Sequence, residues 1–266
     1  MIFGFLGFGK MASALVRGML QADACKPDQI LVVNRHPETI QAEVQQFNLK
    51  LARSPAELAE QADVIVLGTK PADSLQLLRE VRPSLDGKLL ISVAAGVTLQ
   101  GLQDAGGHRT RVIRAMPNTP SLVMTGATCY ALGDHATAED AAIADRVFGA
   151  VGIVFRVREV TLDAVTGLSG SGPAYVFTFI EALIDGGVMM GLPREIASEL
   201  AIQTVLGSAQ MVQQMKLHPA ELRAMVASPG GTTMAGLEEL EARGMRYTIM
   251  AAVRAASERA RELGKG

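Results

Sequence analysis

The sequence opens on a short apolar run that leads directly into a glycine-rich turn. Residues 2–6 read IFGFL, and the GFGKMA that follows places Gly7, Gly9 and Ala12 in the spacing G-x-G-x-x-A. Between a strand and a helix, this spacing is typical of dinucleotide-binding βαβ units, because the first glycine permits a tight turn and the second lets a pyrophosphate approach the backbone. The following helix then faces the phosphates with free N–H groups. The start of the chain therefore predicts a dinucleotide site.

Short apolar runs alternate with amphipathic stretches throughout the first half. The runs lie at 2–6, 30–34, 63–68, 88–94 and 111–115, with later ones at 126–133 and 152–157. Those at 64–67 and 89–93 lack polar alternation, as expected for strands of a parallel sheet that helices cover on both faces. This alternation of strands and helices predicts an α/β fold, with a Rossmann-type dinucleotide-binding domain over residues 1–158.

The second half shows only helical patterns. The segment 171–192 is apolar on nearly every side, and further helices are predicted at 193–215, 219–227 and 246–263. A helix that is apolar all round must be buried, and a helical half of this size has few elements to cover it. We therefore expect residues 159–266 to form an all-helical, substrate-binding domain that makes a homodimer. Burial of this helix against the first domain is the open alternative.

The composition narrows the class of partner. Of 266 residues, 48% are hydrophobic and 20% charged, and the formal net charge is −2, whereas a nucleic-acid surface needs a basic stripe. No run reaches the ~20 apolar residues that span a bilayer. The two cysteines, Cys25 and Cys129, lack metal-ligand spacing and fit a reducing compartment. We expect a cytoplasmic protein that binds no nucleic acid, no membrane and no metal.

The end of the second predicted strand indicates which dinucleotide binds. It reads VVNRHP, with Asn34 and Arg35 where a cofactor without a 2′-phosphate usually meets an acidic side chain. No carboxylate repels a phosphate there, and a guanidinium can pair with one. The pattern favours NADPH, with NADH as the weaker cofactor. The other interpretation of Arg35 is a solvated loop charge.

Small and polar residues follow the next three predicted strands. Lys70 and Pro71 follow the third run, Ala95 lies in SVAAG after the fourth, and Asn118 lies in MPNTP after the fifth. Ligands of open sheets bind outside the carboxyl ends of the strands. These positions are therefore expected to line the cofactor crevice, with Asn118 on the nicotinamide side.

Two motifs of small residues interrupt the helical half. LSGSGPAY (168–175) precedes the apolar helix, and Ser171 or Gly172 is predicted to cap it. SPGGTT (228–233) offers backbone N–H groups, two threonine hydroxyls and a helix start near Thr232. Such a nest binds a small anion, in particular a carboxylate. A glycine-rich turn with an ordinary helix cap is the alternative that these residues leave open.

In this order, GFGKMA, KP, SVAAG, MPNTP, GLSGSGPAY and SPGGTT resemble the pyrroline-5-carboxylate reductase family over essentially the whole chain. The resemblance implies reduction of a cyclic imine to L-proline with hydride from NAD(P)H. It also implies a Rossmann domain joined to a helical dimerisation domain, with dimers often assembled into a decamer. The implied cofactor contacts fall at Phe8, Gly9, Lys10, Met11, Asn34, Lys70, Pro71 and Ala95. The implied substrate contacts fall at Glu159, Thr232 and Thr233, to which the nest adds Ser228, Gly230 and Gly231.

The resemblance gives the SPGGTT nest a chemical role. The amides of Gly231 to Thr233 would hold the substrate carboxylate. The Thr233 hydroxyl, the predicted catalytic group, would orient the ring nitrogen or relay a proton to it. Two positions depart from the family pattern: Gly68, often an alanine, which is expected to be a harmless difference, and Met225, where some members are polar.

Two other functions fit parts of the sequence. Another NADP-dependent oxidoreductase of the same two-domain plan, acting on an imine or a β-hydroxyacid, is the first. For a β-hydroxyacid it would need a general acid-base, usually a lysine on the long helix, and residues 175–192 contain no lysine. The second is a redox sensor that binds NADP(H) without catalysis, for which MPNTP and SPGGTT would serve only as turns.

Overall fold

The computed structural model describes residues 1–264, and its first half is built on an eight-stranded sheet. The strands are β1 (Phe3–Leu6), β2 (Ile30–Val33), β3 (Lys50–Leu51), β4 (Val64–Leu67), β5 (Leu89–Ser92), β6 (Arg111–Met116), β7 (Gly126–Leu132) and β8 (Gly152–Arg156). Their spatial order is β3-β2-β1-β4-β5-β6-β7-β8. Strands β1 to β6 are parallel, β7 is antiparallel to β6, and β8 is parallel to β7. The predicted Rossmann-type sheet is confirmed, and its strand order reverses between β1 and β4.

The central strands are apolar because both faces of the sheet are covered. All residues of β1, β2, β4 and β5 are buried. Neighbours such as Phe5 and Leu6 belong to two separate apolar clusters, as the alternation of side chains along a strand requires. The strand β3 escaped prediction, because it has only two residues and both are exposed.

Seven helices accompany the sheet within the part of the chain that the structure describes. They are α1 (Lys10–Gln21), α2 (Gln41–Gln46), α3 (Pro55–Gln61), α4 (Pro71–Val81), α5 (Leu99–Gly106), α6 (Ala138–Gly149) and α7 (Leu162–Val165). Ser54, Thr98 and Thr137 cap α3, α5 and α6 by accepting a backbone N–H in the first turn. The start of α1 has no such side-chain cap, which leaves its first amides available to a ligand.

The second half is entirely helical among residues 172–264, as predicted. Its helices are α8 (Gly172–Met189), α9 (Arg194–Met215), α10 (Pro219–Met225), α11 (Thr232–Ala242) and α12 (Met245–Leu263). The chain divides into two compact units, one of Gly172–Val253 and one of Met1–Ser171 together with the chain from Arg254 onward. The predicted domain boundary between residues 158 and 159 does not coincide with the boundaries of these compact units, and it stays a prediction.

The helix α8 has no buried residue in the single chain. Large apolar side chains are exposed along it and its C-terminal turn, namely Val176, Phe177, Phe179, Leu183, Met189, Met190 and Leu192. Water in contact with so much apolar surface is unfavourable. This exposed apolar surface of α8 is the one that, from the sequence, we expect a second subunit to cover.

The predicted cap of α8 is wrong. Ser171 has helical dihedral angles, and the chain before it is already helical through α7 and a π-turn at Thr166–Gly170. The Ser171 amide donates to the carbonyl of Thr166 at 2.8 Å, five residues back. The small residues of GLSGSG therefore form a π-turn within a helical run, a feature that is frequent at functional sites.

Candidate cofactor and substrate sites

The turn between β1 and α1 contains two glycines with different roles. Gly7 has φ +86°, and a β-carbon on it would lie 3.0 Å from the amide nitrogen of Thr69. Gly9 has an ordinary extended conformation, and a β-carbon there would meet no atom within 4 Å. The open space in front of the uncapped α1, beside the exposed Lys10 and half-buried Met11, fits a dinucleotide pyrophosphate.

The turn after β4 lies directly against the glycine turn after β1. The amide of Gly68 donates to the carbonyl of Leu6 at 2.9 Å. A β-carbon on Gly68 would lie 2.8 Å from the carbonyl oxygen of Gly7. A glycine at 68 therefore suits the close approach of the two turns in this chain, and the expectation that this difference from the family pattern is harmless stays a prediction.

The remaining predicted cofactor positions after β4 and β5 are exposed at the carboxyl edge of the sheet. Lys70 precedes α4, Pro71 is the first residue of that helix, and Ala95 follows β5. The hydroxyl of Ser74 donates to the carbonyl of Lys70 at 3.0 Å, and it lies 2.9 Å from the hydroxyl of Thr69. These bonds fix the turn that presents Lys70.

The end of β2 places Asn34 and Arg35 beside the same turns. The Asn34 amide donates to the carbonyl of Phe8 at 3.4 Å, whereas the Phe8 ring is buried edge-on to Phe5 and leaves only its backbone for a ligand. Arg35 Nη2 lies 3.4 Å from Asp73 Oδ1. Asp73, in the first turn of α4, was not singled out from the sequence, because its contact with Arg35 joins segments that are far apart in the chain.

The side chain of Asn118 is used inside the protein. Its amide donates to the carbonyl of Ser169 at 3.0 Å, and its oxygen accepts the amide of Ala127 at 2.8 Å. Only 9% of the residue is exposed. Asn118 thus joins the loop after β6 to β7 and to the π-turn, and its contact with nicotinamide stays a prediction.

Glu159 also has partners within the chain. Its Oε1 accepts the amide of Leu99, at the start of α5, at 2.7 Å and a hydrogen bond from Arg114 Nη1 at 3.0 Å. The Arg114 side chain is 8% exposed and lies 3.6 Å from Asp163 as well. This buried arginine was not singled out from the sequence. The predicted contact of Glu159 with substrate stays a prediction.

The SPGGTT segment turns sharply into α11. Gly230 has φ +68°, and the amide of Gly231 donates to the carbonyl of Ser228 at 3.0 Å. A β-carbon on Gly231 would collide with the Ser228 hydroxyl. Among the described residues, no side chain caps α11, so the amides of Thr232 and Thr233 lack intrahelical acceptors. Of the three amides predicted to bind a carboxylate, these two remain available.

A groove of about 730 Å³ borders the nest between α10 and α11. Its lining includes Arg223, Gly230, Gly231, Met234, Glu238 and Glu241. Arg223 and Glu241 approach to 3.9 Å, and Met225, at the end of α10, is 62% exposed. The groove offers space beside the nest that a small organic anion can enter.

The dinucleotide turn, the doubly wound sheet and the helical unit define a two-domain, nicotinamide-dependent oxidoreductase. Residues 159–263 match the profile described as pyrroline-5-carboxylate reductase dimerisation, and residues 2–96 match that described as NADP oxidoreductase, coenzyme F420-dependent. The chain belongs to the pyrroline-5-carboxylate reductase family. Its helical half is accordingly a dimerisation domain.

Individual relatives agree over the full length. Pyrroline-5-carboxylate reductase of Arabidopsis thaliana is 45% identical over 98% of this chain and 95% of its own length, and that of Escherichia coli K12 is 40% identical over 98% of both. The crystal structure of Plasmodium falciparum pyrroline carboxylate reductase with NADP bound has a TM-score of 0.91 at 35% identity, covering 99% of this chain and 98% of that one. Prephenate dehydrogenase of Aquifex aeolicus, at 14% identity and TM-score 0.56, shares the fold alone.

None of the helices in residues 1–264 is both long and apolar enough to cross a bilayer. Within the same residues, no three His, Cys, Asp or Glu side chains are grouped so as to hold a metal ion.

Proposed function

We propose that this chain reduces 1-pyrroline-5-carboxylate to L-proline with hydride from NADPH. The observation that carries the proposal is the uncapped SPGGTT nest in a chain whose full-length relatives, named pyrroline-5-carboxylate reductases, are 40–45% identical to it. The substrate has a carboxylate, a ring nitrogen and an electrophilic imine carbon, and the nest has groups suited to the first two.

The nest would bind the carboxylate through backbone groups. The free amides of Thr232 and Thr233 lie at the positive end of the α11 dipole, which favours an anion. Gly231 permits the sharp turn that precedes these amides, because a β-carbon there would collide with the Ser228 hydroxyl. Recognition of the carboxylate therefore needs no cation from this segment.

The chemistry requires one hydride and one proton. NADPH, when bound by the α1 turn, supplies the hydride from nicotinamide C4. The hydride adds to the imine carbon, and the electron pair of the C=N bond takes a proton at nitrogen. Thr233 is assigned to orient that nitrogen or to relay the proton to it through water. The main contribution of the protein is positioning, worth up to about 7–11 kcal/mol in intramolecular reactions.

The assembly and the location belong to the same proposal. The exposed apolar α8 supports a homodimer through the helical unit, and we propose that dimers assemble further into a decamer. We place the protein in the cytoplasm, since Cys25 and Cys129 are free thiols, and we assign it no nucleic-acid partner.

The test is direct. The purified chain is mixed with NADPH and pyrroline-5-carboxylate, the loss of NADPH absorbance is followed, and proline is identified chromatographically. Turnover that needs both reactants and releases one proline per NADPH consumed is expected. A β-hydroxyacid with NADP⁺ is the matched control. Oxidation of the hydroxyacid without reduction of the imine would overturn the proposal.

A further inference from the structure

An ion pair joins the loops that follow β2 and β4. Arg35 Nη2 lies 3.4 Å from Asp73 Oδ1, and the two side chains are 72% and 41% exposed. This separation exceeds the roughly 2.7–2.9 Å of a charge-assisted hydrogen bond. The guanidinium is therefore held by charge and keeps N–H donors for a second anion.

The carboxylate is the better fixed partner of this pair. Asp73 lies in the first turn of α4, where the helix dipole favours a negative charge, and its amide donates to the carbonyl of Lys70 at 3.0 Å. The Thr69 and Ser74 hydroxyls fix the same turn. Arg35 instead extends from the loop after β2 on a long, exposed side chain.

Both loops border the dinucleotide turn, because β2 and β4 each pair directly with β1. The other acid near Arg35 in sequence, Glu38, lies 3.4 Å from His36 Nδ1. Asp73 is thus the carboxylate that meets Arg35, the one side chain of this edge predicted to pair with a 2′-phosphate.

We propose that Asp73 is a specificity-determining residue, which competes with the 2′-phosphate of NADPH for Arg35 and so limits the preference for NADPH over NADH. The inference rests on the proposed function, since it takes NADPH as the hydride donor. A phosphate that binds Arg35 must displace or share the Asp73 contact, and the carboxylate repels it in both cases. NADH has a hydroxyl at this position and meets neither cost.

Binding of two small probes isolates this effect from catalysis. Isothermal titration calorimetry compares adenosine 2′,5′-bisphosphate with 5′-AMP, which differ by the 2′-phosphate. Asp73→Asn should tighten the bisphosphate about threefold to fivefold, the scale of one exposed charge contact, and leave 5′-AMP within about twofold. Glu80→Gln, at the far end of α4, is the matched control and should leave the affinities for both probes unchanged. Added salt should shrink the gain.

A double-mutant cycle tests the competition itself. In an Arg35→Ala background, Asp73→Asn should give less than half of its gain, because the contested guanidinium is gone. An equal gain in both backgrounds would mean simple repulsion and would overturn the proposal, as would no gain or weaker binding in the Asp73→Asn variant.

Kinetics give a second readout. The ratio of kcat/KM for NADPH to that for NADH should rise in Asp73→Asn by the same factor as the bisphosphate affinity, and an unchanged ratio would overturn the proposal. If the parent chain fails to reduce pyrroline-5-carboxylate, the proposed function fails, while the two binding experiments still decide the role of Asp73.

Discussion

At the scale of single residues, Gly7 and Gly9 separate the demands of folding from those of binding. Gly9→Ala should leave the free energy of unfolding within about 1 kcal/mol, since its φ is ordinary and its β-carbon meets no protein atom. It should raise the KM for NADPH about tenfold or more, a loss of at least ~1.4 kcal/mol, because the methyl group occupies the approach of the pyrophosphate. Urea unfolding and steady-state kinetics measure the two quantities.

Gly7→Ala is the comparison variant. It forces an alanine to φ +86° and against Thr69, and should cost about 1–3 kcal/mol of stability. If Gly9→Ala were equally destabilising, or bound NADPH as the parent does, the division of roles would be wrong.

Thr233 is the residue on which the chemistry can be tested most sharply. Thr233→Ala should lower kcat/KM for the imine about 10²-fold, the effect of one lost positioned donor. Thr233→Ser should recover most activity because it restores the oxygen, whereas Thr233→Val keeps the shape without the hydroxyl and should not. Binding of NADP⁺, measured by calorimetry, should barely change in all three variants. A valine variant as fast as the parent would reduce Thr233 to a helix residue.

At the scale of secondary structure, apolar patterning predicted nearly every strand and helix of the described chain. The runs of β1, β2, β4 and β5 were visible because both of their faces are buried, and each predicted edge falls within two residues of the observed one. Patterning could not reveal β3, which buries nothing, or the π-turn at Thr166–Gly170, which depends on tertiary hydrogen bonds.

The candidate site was predictable only where a motif constrains the backbone. The glycine turn and the nest follow from sequence because they need residues without side chains. The partners of Asn118, Glu159 and Arg35 join segments far apart in sequence, and no local signal reveals that Ser169, Leu99 or Asp73 would meet them.

The contact between β7 and α6 gives a pH-dependent prediction. Tyr130 is 1% exposed, and its hydroxyl donates to Asp145 at 2.9 Å. Burial together with this hydrogen bond raises the pKa of Tyr130 to about 12. The folded state thus keeps a proton that the unfolded state loses near pH 10, which contributes up to about 2.7 kcal/mol below that pH. This stability is lost as the pH rises from about 10 to about 12.

Tyr130→Phe removes the titrating hydroxyl and so isolates its contribution to the free energy of unfolding. The stability advantage of the parent over the variant, measured by urea unfolding, should shrink as the pH rises through this window. Tyr247→Phe, at a residue that is 66% exposed, is the matched control and should give a flat difference. A constant advantage of the parent at Tyr130 across the window would contradict the prediction.

At the scale of the whole molecule, the apolar surface of α8 predicts an obligate dimer. Light scattering and sedimentation at nanomolar concentration should find no folded monomer, because separation exposes residues such as Phe177 to water. Phe177→Glu should dissociate the dimer and abolish activity, whereas Gln100→Glu, exposed on α5, should do neither. A well-folded, active monomer would refute the prediction.

The grouping of the C-terminal part of α12 with the first unit has a consequence for protein engineering. The chain leaves that unit after Ser171 and re-enters it at Arg254. Within the unit, Leu263 packs close to Gly96, since a β-carbon placed on Gly96 would lie 3.2 Å from the β-carbon of Leu263. The helical unit is thus an insertion within the chain of the first unit. Grafting it onto another reductase would need two junctions, and a stop codon shortly before 254 would remove the segment that lies against the turn after β5.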